Sequence, residues 1–63
     1  MREMRFKEIE KILLRDGWRF EKARGSHYKY SHPTKLGKVT IPYHNGDIDK
    51  GTVKSIMNQA GLK

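Results

Sequence analysis

The spacing of apolar residues changes once, at Gly17, and that change limits what the chain can fold into more than any other feature. From Phe6 to Asp16, the residues Phe6, Ile9, Ile12 and Leu13 follow helical spacing, which predicts one amphipathic helix. Gly17 stands where a left-handed residue would end it. Beyond it the period is two: Trp18 and Phe20 point one way, and Arg19 and Glu21 the other, as in a half-buried strand. The start of the helix is weakly marked, because neither Met4 nor Arg5 is a good N-cap.

The rest of the chain continues the strand pattern and then returns to a helix. Arg24-Gly25 makes a turn into a second strand from Ser26 to about His32, with Tyr28 and Tyr30 toward the core and His27, Lys29 and Ser31 opposite. Pro33 to Gly37 reads as a loop, and Lys38 to Tyr43 as a third strand with Val39, Ile41 and Tyr43 facing inward. Asn45-Gly46-Asp47 is a turn, and Asp49 is the N-cap of a second helix with an apolar stripe of Val53, Ile56, Met57 and Ala60. Gly61 ends that helix and lets Leu62 fold back on Met57.

Helix, three strands and helix with short connections predict an α+β fold: a three-stranded antiparallel sheet with both helices on one face. That αβββα order is the architecture of double-stranded-RNA-binding domains. The uncovered face then carries Arg19, Glu21, His27, Lys29, Ser31, Lys38 and Thr40. A chain of 63 residues is expected to form a single domain over residues 1–63. Its core is small, so an open surface site is more plausible than an enclosed cavity.

Fourteen Lys and Arg against seven Asp and Glu leave a net charge of +7. The excess is concentrated in Arg19, Lys22, Arg24, Lys29, Lys35 and Lys38, opposed in that stretch only by Glu21. A polyanion is the expected partner, although a solvated basic surface would show the same excess. The absence of cysteine excludes disulfides, thiolate metal sites and a cysteine nucleophile. No apolar run is long enough to cross a bilayer and the N-terminus does not resemble a signal peptide, so a soluble cytoplasmic protein is expected.

His27 is the sharpest chemical candidate. Strand parity puts it on the basic face, and an imidazole with an ordinary pKa of about 6.5 can move protons near neutrality. Beside Lys29 and Arg24 it could take the proton of a ribose 2′-hydroxyl, whose oxygen then attacks the adjacent phosphorus to give a 2′,3′-cyclic phosphate. The same parity also describes a surface histidine with no role. His32 abuts Pro33 and reads as a strand cap or a residue of the core rim. His44, at the exit of the third strand, could approach the same sheet edge as a proton donor or phosphate ligand. The three histidines lack metal-ligand spacing, so no metal or other cofactor is expected. Trp18, Tyr28 and Tyr30 could stack on bases, but their parity assigns them to the core. Ser26 has no nucleophile-elbow pattern around it.

Five segments in order give the chain a family likeness: Gly17-Trp18, Gly25-Ser26-His27, Tyr30-Ser31-His32-Pro33, Val39-Thr40-Ile41-Pro42 with His44, and Gly51-Thr52-Val53-Lys54-Ser55-Ile56 running into Gln59-Ala60-Gly61-Leu62. In these it resembles the HicA toxins, the small ribonuclease half of bacterial toxin-antitoxin pairs. The resemblance covers nearly the whole chain. It implies a double-stranded-RNA-binding-like fold, cleavage of mRNA, a catalytic histidine at His27, and a HicB antitoxin that covers the site. The RNA-binding set expected around His27 is Arg19, Lys22, Arg24, Gly25, Ser26, Lys29, Lys38 and His44, in a toxin that is monomeric when free. Two other functions remain open on the residues alone: a non-catalytic RNA-binding module, and an interaction domain for an acidic protein.

Overall fold

The computed structural model describes residues 2–62. In chain order the elements are β1 (Met4–Arg5), α1 (Phe6–Arg15), β2 (Arg19–Arg24), β3 (His27–Ser31), β4 (Val39–Pro42), β5 (Asp47–Ile48) and α2 (Lys50–Gln59). The expected helix, three strands and helix are all present, and β2-β3-β4 form a three-stranded antiparallel sheet.

Side chains near each helix end explain where the helices start and stop. Arg5 is extended, and the Glu8 carboxylate accepts its backbone N–H at 3.1 Å. Half of a capping box therefore starts α1 where no Ser or Thr cap is available. At the other end Gly17 has φ +99°, the Trp18 N–H reaches the Leu13 carbonyl at 3.0 Å, and the Gly17 N–H reaches Leu14 at 3.1 Å. This is a Schellman motif. The second helix ends in the same way, with Gly61 at φ +74° and the Leu62 N–H on the Met57 carbonyl at 2.8 Å. Asp49 caps its start by accepting the Thr52 N–H at 3.1 Å, as the sequence predicts.

Both helices pack onto β4. Phe6, Ile9 and Leu13 of α1 and Val53, Ile56 and Met57 of α2 close over Trp18, Tyr30, Val39 and Ile41, all buried. Two features depart from expectation. Met4–Arg5 pairs with Asp47–Ile48 as a second, two-stranded sheet, which buries Met4 and Ile48. Two residues per strand are too few for an alternating pattern to announce them. The longer strands are also shorter than expected, so Ser26, His32, Lys38 and Tyr43 fall outside them.

Two aromatic residues assigned to the core are half exposed, Phe20 at 51% and Tyr43 at 49%. Phe20 does lie on the apolar side, directly opposite Tyr30. It belongs to the edge strand, however, while the helices cover β4 at the other side of the sheet. Tyr43 follows the end of β4, where its ring stacks on Tyr28 at the rim of the core.

Candidate nucleic-acid interface

An irregularity in β2 decides which side chains reach the solvent face. Arg19 pairs with Ser31 and Phe20 with Tyr30, but the next pair is Lys22 with Lys29, followed by Ala23 with Tyr28 and Arg24 with His27. Glu21 is thus the extra residue of a β-bulge. Strict alternation from Trp18 would have sent Lys22 and Arg24 to the same side as Phe20. The bulge instead turns them onto the face of His27 and Lys29. A signal for it exists in the chain: counting pairs back from the Gly25-Ser26 turn and forward from Phe20 gives registers that differ by one residue.

On that face Lys22, Arg24, His27, Lys29 and Thr40 line a concavity of 310 Å³. The turn at its end is possible because Gly25 has φ +60°, a conformation that side chains disfavour. His27 is exposed at the first position of β3, opposite Pro42. Lys22, Arg24 and Lys29 make no ion pair among the described residues. Three cations around one imidazole can hold a phosphate and offset charge that develops on it.

The other expected site residues are spread more widely. Gly25 and Ser26 form the turn beside His27, and the Ser26 carbonyl accepts the Tyr43 N–H at 2.6 Å. Arg19 is exposed on the same face but at the opposite end of the β2–β3 ladder from His27. Lys38 is engaged by Glu21 at 2.6 Å, and that contact holds the Glu21 carboxyl below the usual carboxylate range. His44 does not join His27. It lines a separate concavity of 300 Å³ with Arg5, Lys7 and Tyr43, and its Nδ1 accepts the Gly46 N–H at 3.1 Å.

His32 has a structural environment. Its Nε2 lies 2.7 Å from the Asp16 carbonyl, and its Nδ1 accepts the Thr34 and Lys35 N–H groups, each at 3.1 Å. The ring ties the end of β3 to the end of α1 and lies edge-on to Trp18 at 5.1 Å. Nearby, the Lys35 ammonium bridges the Asp16 carboxylate and the Ala60 carbonyl, holding the Asp16 carboxyl below its usual range. Tyr30, also among the candidate stacking residues, is buried and donates its hydroxyl to Glu10. Burial, with that carboxylate second, pushes its phenol up. Among the described residues, no three His, Cys, Asp or Glu side chains converge on a metal position. No helix there is long and apolar enough to cross a membrane.

Sheet and cleft together define a small α+β protein that presents a cationic surface around one accessible imidazole. Residues 6–62 match the family described as "HicA toxin of bacterial toxin-antitoxin". The chain therefore belongs to the HicA toxin family: it is the toxin of a toxin-antitoxin system and has a cognate antitoxin as partner. No curated protein matches it.

Proposed function

We propose that this toxin is a metal-independent endoribonuclease that cleaves mRNA in the cytoplasm with His27 as general base, and that a HicB-type antitoxin silences it by covering the cleft. The supporting observation is one exposed imidazole in a concavity whose other walls are Lys22, Arg24, Lys29 and Thr40. The cations draw the RNA backbone against His27. Neutral His27 takes the proton of a 2′-hydroxyl, the O2′–P bond forms, and the P–O5′ bond breaks. A 2′,3′-cyclic phosphate remains on one fragment. Water protonates the departing 5′-oxygen, and the proton on His27 then neutralises the hydroxide so formed. Lys22, Arg24 and Lys29 stabilise the crowded charge at phosphorus.

A general base of this kind contributes roughly 10²–10⁴ in rate. Incubating the purified toxin with a labelled RNA in chelator, beside the His27→Ala variant, tests the reading. Cleavage by the wild type and a loss of that order in the variant support it, and equal rates overturn it.

One observation favours a non-catalytic RNA-binding module instead: the cleft contains no carboxylate and no second imidazole, since His44 lies in the other concavity. That reading predicts tight, salt-sensitive binding with no cleavage at all.

A further inference from the structure

Beside the core, on the helix side of the sheet, two stacked tyrosines lie at the edge of a concavity that the cleft does not include. Tyr43 is about half exposed and stacks on Tyr28 with centroids 5.6 Å apart and planes inclined by 27°. Phe6 supports both rings, at 5.1 Å from Tyr43 and 5.0 Å from Tyr28. The space beside them measures 300 Å³, enough for one nucleobase, and its polar lining is Arg5, Lys7, Glu10, His44 and Asn45.

The charges suit an anion. Lys7 makes no ion pair among the described residues, and Arg5 is only loosely held, 3.9 Å from Asp47. Glu10 is the one carboxylate in the lining, set against the two cations Arg5 and Lys7, and one of its oxygens accepts the Tyr30 hydroxyl. Because the His44 Nδ1 accepts the Gly46 N–H, the hydrogen of the neutral ring sits on Nε2, where it can be donated to an oxygen. An apolar protein anchor would leave Lys7 without a counter-charge and the His44 Nε2–H without an acceptor, whereas a nucleotide matches the flat rings and the polar groups together.

We propose that this concavity is a nucleobase subsite. One base of a single-stranded RNA stacks on Tyr43, its phosphate lies against Lys7 and His44, and Asn45 offers an amide donor and acceptor to the base edge. The inference rests on the RNA-cleaving function proposed above. Its position fits: His27 lies opposite Pro42, and Tyr43 is the next residue, its N–H bound to Ser26. Cleft and subsite therefore occupy opposite faces of the same end of the sheet. A strand passes between them around Gly25, where no other group lies within 4 Å of the position a Cβ would take.

The test is an abasic scan. Single-stranded RNA with 2′-O-methyl riboses, which lacks the attacking hydroxyl, is titrated with the wild-type toxin while one base at a time is removed. Affinity should fall about ten-fold at one position and change little elsewhere. Tyr43→Leu keeps an apolar side chain over Phe6 but removes the ring face. It should weaken binding of the intact RNA by a similar factor, leave the salt dependence unchanged, and abolish the sensitivity to that one base. Tyr43→Phe should bind as the wild type does. A flat scan with a toxin that still cleaves unmodified RNA overturns the subsite and leaves the ribonuclease standing, as does a sensitive position that persists in Tyr43→Leu. A toxin that binds no RNA overturns both.

Discussion

Lys22 and Lys29 lie directly opposite each other in the β2–β3 ladder, two like charges held side by side on the solvent face. Such a pair disfavours the sheet, by roughly 0.2–1 kcal/mol relative to a neutral pair. An arrangement that costs stability at the centre of the proposed site suits an anionic ligand. Lys22→Thr should therefore raise the stability of the free toxin by a few tenths of a kcal/mol. It should also weaken RNA binding and lower the salt dependence by about 0.7 in log–log slope, one phosphate contact fewer. Denaturant melts and RNA titrations at several salt concentrations check both outcomes.

The bulge makes a separate prediction. Deleting Glu21 brings Phe20 next to Lys22, so a regular ladder keeps the same pairs, with Phe20 on the side of Tyr30 and Lys22 and Arg24 on the side of His27. Glu21→Ala removes only the carboxylate that engages Lys38 and preserves the register. The deletion should therefore bind RNA about as well as the substitution does. Loss of binding by the deletion alone would show that the bulge does more than set the facing of Lys22 and Arg24.

Gly17 should not tolerate a side chain. Its φ of +99° is unfavourable for other residues, and a Cβ there would stand 2.8 Å from the His32 Nε2. Gly17→Ala should destabilise by roughly 1–3 kcal/mol. In the same melts Gly25→Ala, where nothing crowds the added methyl, should cost less.

Acid should loosen the junction of the two helix ends. The Lys35 ammonium holds the Asp16 carboxyl below its usual range. A carboxyl depressed in the folded state contributes stability that is complete above its unfolded pKa of about 3.9 and is lost as pH falls through the lower folded value. Lys35→Met removes the ammonium, so the variant should lose less stability than the wild type across that acid interval. Thermal melts from pH 5 to pH 2 check the sign: a steeper loss in the variant would contradict it.

Much of this architecture was legible because single residues carry strong local meaning. Gly17 and Gly61 mark Schellman ends, Asp49 marks a cap, and the parity of Tyr30 and His27 separates the inside of β3 from the outside. What escaped the sequence depends on relations between elements. The β1–β5 pairing is two residues long. The bulge at Glu21 appears only when two registers are compared. The exposure of Phe20 and Tyr43 follows from how far the helices extend over the sheet, which alternation within a strand does not encode. His44 is separated from His27 for a related reason: the ladder ends at Pro42, and His44, two residues on, lies against Arg5 and Lys7 at the start of α1.

The most direct measurement of the central claim is the chemistry of the RNA ends. Purified toxin is incubated with a defined RNA in chelator, and the products are identified by mass spectrometry beside those of His27→Ala. The account predicts fragments ending in a 2′,3′-cyclic phosphate or a 3′-phosphate, formed roughly 10²–10⁴ times more slowly by the variant. Fragments ending in a 3′-hydroxyl, or the same rate from both proteins, would contradict it.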